Sequence, residues 1–460
     1  MPISLRATVL ALVAAAALAL IATPAGAATS FVRIKGIDAP GPAKYDRVGV
    51  LKQGNPKADH VLVLEPGTSA SAAYFRLVAG DIVRELPDWQ VWSVERRENL
   101  LEDHSRLDLA KRGKITPKQL FDYYLGWLGN SSLQPHFTPV PDSTVEYAKQ
   151  WGMAVAVGDL HKVVKLAARG GRTVVLGGHS LGGSITTAYA TWDFNGKPGA
   201  ADLSGLVFVD GAAGGRTVPT AAEAQASLDE LNQPDQSPFL DLTGNGLPWS
   251  AGVFNIVGST AALRAPNDLS VFDGWPFLPA SLRPPVRATN LGGYGYAFDT
   301  ATSPASLRLI QVHIGHFATS GDPRGWVNGE LGTVQRVAAM FAGKGLKGLD
   351  GTAWYHPRRL SIDGGAIDNG NDNPAQAVFG DRATHGSDVK LPMYAFETAL
   401  GDGRVIPAVQ DLAKQSHVPK SEQRYVDKSA TYAHVDPLAA STSKNAFLKT
   451  LLPFLKHKVG

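Results

Sequence analysis

Residues Thr173–Gly183 read Thr-Val-Val-Leu-Gly-Gly-His-Ser-Leu-Gly-Gly, and one serine in this stretch has the setting of a nucleophile. A β-branched and aliphatic run, Thr173 to Leu176, leads into Gly178-His179-Ser180-Leu181-Gly182, which fits G-x-S-x-G. Ile185 to Trp192 then continues as a helix. A serine on such a strand–turn–helix elbow sits at a strained backbone position, and its glycine neighbours let strand and helix pass closely. The helix N-terminus beneath it favours developing negative charge. A serine hydroxyl is nearly inert at neutral pH, so it needs a base to take its proton. The chain has no cysteine, which excludes thiol nucleophiles, disulfides and cysteine-ligated metals.

The surrounding elements must position that serine. Tyr45–Leu51 and Val61–Leu64 read as strands, the second closed by Glu65-Pro66-Gly67-Thr68-Ser69. Ser71–Glu85 has helical spacing, Trp89–Val94 is a strand, and Ser143–Arg169 reads as one long amphipathic helix. Leu206–Asp210 is another buried strand. Strands alternating with helices imply an α/β fold with a mostly parallel sheet covered on both faces. From Gly211 to Lys390 that rhythm stops, and Gly, Pro and aromatic residues dominate. Leu391–Phe396 resumes as a strand and Asn445–Leu455 closes the chain as a helix.

These pieces resemble the α/β-hydrolase superfamily, in particular secreted bacterial lipases and esterases. The likeness covers residues 45–210 and 391–457, with a large cap insertion, 211–390, between two parts of one sheet (28–210 and 391–460). It rests on the Gly178–Gly182 elbow, the Pro66-Gly67-Thr68 loop, and two later stretches. Gly401-Asp402-Gly403-Arg404-Val405-Ile406-Pro407 looks like the loop that carries the family's triad acid. Tyr432-Ala433-His434-Val435-Asp436-Pro437 looks like its catalytic-histidine loop. The resemblance implies Ser180 as nucleophile, His434 as base and Asp402 as acid, in the chain order Ser, Asp, His. Asp210 and Glu397 are rivals for the acid, and His417 for the base; His179 lies inside the elbow, facing the wrong way. The oxyanion hole would take the amide of Leu181 and one from the loop after Leu64, at Thr68 or Ser69. The implied activity is cleavage of carboxylic esters. Acyl transfer on the same triad, or a non-catalytic binding protein on this scaffold, are the alternatives.

Composition narrows the partners. The net charge is +3, from 44 basic and 41 acidic residues, with no basic cluster that would suit nucleic acid. The apolar, Ala-rich run Ala7–Ala22 after Arg6, followed by Ala25-Gly26-Ala27, reads as a secretory leader at 1–27, cut after Ala27 or Ala28. The expected mature protein is secreted, without a stable membrane anchor, and acts on a small-molecule or lipid-like ester. No cofactor or metal is expected. His313-x-x-His316 lacks a third ligand, and Asp368–Asn373 fails the EF-hand pattern. Glu95-Arg96-Arg97 and Glu102-Asp103-His104 read as a structural ion-pair network. The aromatics of the insertion suggest an apolar pocket above Ser180, suited to an acyl chain or aromatic ester.

Overall fold

The computed structural model describes residues 28–459, so the expected leader at 1–27 lies outside the described residues. Eight strands form the main sheet: β1 (Thr29–Lys35), β2 (Arg47–Gly54), β3 (His60–Glu65), β4 (Trp89–Glu95), β5 (Thr173–His179), β6 (Gly205–Val209), β7 (Met393–Glu397) and β8 (Gln423–Asp427). Their spatial order is β1-β2-β4-β3-β5-β6-β7-β8. β1 and β2 pair antiparallel, β2 meets β4 antiparallel, and every pairing from β4 to β8 is parallel. This order, with the serine elbow after β5, is an α/β-hydrolase fold.

The central strands are apolar at successive positions because both faces are covered. Leu62, Leu64, Val91, Val175, Val207 and Phe396 face a core shared with α1 (Arg76–Glu85) and the C-terminal helix Ala446–Phe454. Their neighbours Val61, Val63, Trp92, Val174, Leu176 and Phe208 face α2 (Met153–Ala167), α3 (Leu181–Thr191) and the helix Val405–Gln415. Each fully buried Val or Leu contributes roughly 1.5–3 kcal/mol relative to exposure. Among the described residues no helix is long and apolar enough to cross a membrane.

One expectation changes. The helix read as Ser143–Arg169 is α-helical only from Met153, after two 3-10 turns. Its start is fixed by Asp363, whose Oδ2 accepts the Met153 amide at 2.9 Å. A Cβ on Gly152 would lie 2.0 Å from that oxygen, so only glycine admits the carboxylate. The region between β4 and α2 is partly helical. Its short helices Ser105–Lys111 and Pro117–Tyr124 share a core with the insertion, through Phe121, Tyr124 and Phe137 against Trp249, Trp275 and Trp354.

Between β6 and β7 the chain contributes no strand to the main sheet. It carries α4 (Ser250–Arg264), α5 (Asn290–Phe298), α6 (Val334–Phe341) and a small hairpin, Gly315–Phe317 with Trp326–Asn328. The segment is not set apart from the sheet: Val337, Ala338, Met340 and Phe341 of α6 belong to the core of α1.

Candidate active site

Ser180 lies at the turn from β5 to α3 with φ 58° and ψ −126°. A non-glycine residue pays roughly 1–3 kcal/mol for such backbone, held here by its surroundings. Its amide donates to Val209 O at 2.9 Å. A Cβ on Gly178 would lie 2.0 Å from Gly182 O, and one on Gly182 would lie 2.0 Å from Glu65 O. Strand, helix and the loop after β3 therefore meet around the serine at backbone contact. As the first residue of α3, Leu181 has an amide with no intrahelical acceptor.

His434 is buried, and its Nδ1 donates to Asp210 Oδ2 at 2.5 Å. That bond fixes the proton on Nδ1 and leaves a lone pair on Nε2. Asp210 directly follows β6, which lies beside the elbow strand, and has φ 47°. Its Oδ1 accepts the amides of Thr398 at 2.7 Å and Gly401 at 3.1 Å, and Thr398 Oγ1 donates to Oδ2. Burial alone would raise the Asp210 carboxyl, but bonds from His434 and Thr398 hold it below the usual carboxylate range.

The expectation of Asp402 as the acid is corrected. Asp402 is exposed, at φ 54°, on the outer side of the turn whose inner amides grip Asp210. Glu397 is engaged elsewhere: its carboxylate accepts the amides of Val405 and Ile406, both at 3.1 Å, at the start of a helix. His417 is exposed at that helix's other end. What distinguishes Asp210 in the sequence is its place directly after a buried strand.

His179 has a part that sequence reasoning missed. Its Nε2 donates to the carbonyl of His434 at 2.8 Å, and the two rings lie 4.2 Å apart. Burial, with the neighbouring His434 adding to it, pushes the His179 ring down to about 3. It is a neutral brace between the elbow and the histidine loop. The Tyr74 ring lies 5.5 Å from it, and burial raises the Tyr74 phenol well above its ordinary value.

The loop after β3 is held from behind. Arg96, buried, donates from Nη1 to Pro66 O at 2.8 Å and Glu65 Oε1 at 3.1 Å, and from Nη2 to Gly67 O at 2.9 Å and Ala70 O at 3.3 Å. Its Nε donates to Glu98 at 2.7 Å. Burial pushes the Glu65 carboxyl up to about 7, against the opposing pull of Arg96. In a trans peptide the N–H points opposite the C=O. Fixing the Gly67 carbonyl on Arg96 therefore turns the Thr68 amide away from it. Gly67 itself abuts the serine, since a Cβ there would lie 2.8 Å from Ser180 Cβ. Between the two expected donors, the Ser69 amide is directed to His356 Nδ1 at 3.4 Å, which leaves that of Thr68.

Ser180 and His434 open onto one cavity of about 210 Å³, with Gly67, Thr68 and His179 at its base. Its walls are mostly apolar and come largely from the insertion, including Phe254, Phe272, Tyr294, Phe298 and Ile310. The other polar motifs do not reach it. His313 Nδ1 is bonded to Asp436 at 2.6 Å, while the exposed His316 turns to Phe317 O. Asn369 and Asn373 of the Asp368–Asn373 loop are taken up by Ala408 O and by the cap of a following helix.

No protein-family model matches the chain, and no curated protein matches its sequence. Solved structures similar to it include a Sulfolobus solfataricus protein provisionally assigned as a lipase (15% identity, 94% of each chain, TM-score 0.48). An epoxide hydrolase from an endophytic Streptomyces (13%, 94% of this chain and 96% of that one, 0.44) is also similar. A third is epoxide hydrolase A from Mycobacterium thermoresistibile (12%, 94% and 99%, 0.42). At these levels the likenesses carry nothing about substrate or site residues.

Proposed function

We propose that the protein is a secreted serine hydrolase that cleaves carboxylic esters through an acyl-enzyme on Ser180. The observation that carries this reading is the Asp210–His434 bond of 2.5 Å beside a strained serine elbow, with Ser180 and His434 opening onto one apolar cavity. His434 Nε2 takes the Ser180 proton as Oγ attacks the ester carbonyl. Asp210, hydrogen-bonded to Nδ1, holds the ring and stabilises the imidazolium. The amides of Thr68 and Leu181 receive the oxyanion. The imidazolium then protonates the leaving alcohol, and water, deprotonated by the same nitrogen, releases the acid. Ser180 and His434 line the same cavity, and in this reading the Oγ–Nε2 hydrogen bond forms as substrate seats. The apolar walls favour an acyl chain or aromatic ester over a sugar or a charged substrate.

A panel of p-nitrophenyl esters of rising acyl length, run on wild type and Ser180→Ala, tests the reading. Wild-type turnover with a loss of on the order of 10³-fold or more in the variant is expected. Retention of more than about a tenth of the activity by a folded Ser180→Ala protein rules out the serine. Labelling of Ser180 by a fluorophosphonate is the matching covalent readout.

A further inference from the structure

Glu102, His104 and Asp350 converge away from Ser180, and hydrogen bonding alone leaves them incompletely satisfied. His104 Nε2 lies 2.9 Å from Asp350 Oδ2 and 3.1 Å from Glu102 Oε2. The side chains of Glu102 and Asp350 are fully buried, and that of His104 is 10% exposed. One ring nitrogen carries at most one hydrogen, so it serves one of these two oxygens. Asp350 takes it, and Glu102 Oε2 is left buried with no hydrogen-bond donor. An orphaned buried carboxylate oxygen is costly. Every other oxygen of the pair is supplied. Glu102 Oε1 accepts the Trp354 amide at 2.8 Å and Asn99 Nδ2 at 3.2 Å. Asp350 Oδ1 accepts the Thr352 amide and hydroxyl, both at 2.6 Å, and Oδ2 also accepts Trp354 Nε1 at 3.2 Å. The outer groups orient the two carboxylates, and the one oxygen without a donor points at the imidazole nitrogen.

We propose that Glu102 Oε2, His104 Nε2 and Asp350 Oδ2 bind a divalent transition-metal cation. A cation among the three atoms, all within 4.8 Å of one another, serves both carboxylates at once, which a single proton does not. Two carboxylates and a neutral imidazole balance a charge of +2. One imidazole and two carboxylate oxygens suit Zn²⁺, with a position left for water. Ca²⁺ asks for six to eight oxygens and is disfavoured. The cation would join the segment after β4 to the chain at Asp350. Residues just beyond Asp350 in turn hold the loop that carries Thr68: Ala353 donates to Ser69 O at 2.9 Å, and Ala70 bridges to Thr352. The metal is therefore a structural tie, outside the proton-transfer chemistry, and it stands or falls independently of the esterase reading.

The test uses the full-length wild type, with metal content measured by mass spectrometry after gel filtration and Tm measured with EDTA or added Zn²⁺. We expect about one metal per chain, a Tm several degrees lower in EDTA, and recovery with Zn²⁺. Glu102→Gln, nearly isosteric, loses both the metal and the EDTA response. A metal-free wild type whose Tm ignores EDTA and Zn²⁺ overturns the proposal, as does metal fully retained in folded Glu102→Gln.

Discussion

Asp210 carries the sharpest consequence for a single side chain. Asp210→Asn removes the acceptor that holds His434 in its tautomer, and kcat is expected to fall on the order of 10³–10⁴-fold. Asp402→Asn is expected to stay within a few fold, because its carboxylate is exposed and the turn is held by other amides. Severe loss in Asp402→Asn with Asp210→Asn near wild type would return the acid to Asp402. His179 sets a pH dependence of stability. Its folded value, about 3, lies below its unfolded value, near 6.5. In that window the unfolded chain binds a proton that the folded chain does not, so stability falls as pH falls through it. The contribution is fully present above about 6.5. Urea unfolding from pH 7 to 4 should show a shallower loss for His179→Gln than for wild type; identical slopes would deny His179 this role. Ser180 and His434, the proposed nucleophile and base, were legible as candidates because a glycine-framed elbow and a small-residue histidine loop are local patterns. The pairing of Asp210 with His434 was not, because it depends on which carboxylate the turn 398–404 folds over, and that is a long-range contact.

At the level of elements, the loop after β3 depends on Arg96 more than on its own sequence. The ion-pair reading of Glu95-Arg96-Arg97 anticipated a network but not its target, since bonds to the carbonyls of Pro66, Gly67 and Ala70 leave no trace in side-chain types. Arg96→Lys keeps the charge and loses the fork. It is expected to lower kcat by about 10²-fold, the scale of one lost oxyanion donor, with KM little changed. Trifluoromethyl ketones, which mimic the oxyanion, should weaken in proportion to kcat/KM, while a substrate-like amide should not. Equal weakening of both inhibitors would make Arg96 a general packing residue. A melting curve accompanies the assay, because losing part of a buried ion pair is destabilising. The strands were readable from their apolar runs. The true start of α2 was not, since Asp363, the residue that caps it, lies 210 positions away.

Across the whole molecule, the sheet supplies the groups of the proposed chemistry and the segment between β6 and β7 supplies most of the cavity wall. Phe254 and Phe272 stack there at 5.5 Å. Replacing each by alanine should raise KM for bulky or long esters by roughly 1–3 kcal/mol equivalent, with acetate ester turnover kept within a few fold. A uniform loss across the ester panel, in protein that still melts cooperatively, would place catalytic groups in that segment. The break in strand rhythm after Gly211 made this segment visible in the sequence. Its partnership with residues 97–152 was not, because short helices carry too few turns for a periodic signal. The absence of cysteine opens an experimental route of its own. Leu242 lines the cavity and is 40% exposed, so it stands at the rim. A Leu242→Cys protein carries a single thiol, and a spin label or fluorophore attached there has only one address. Its signal, followed as an ester or a phosphonate enters, reads the width of the doorway directly, without a background to subtract.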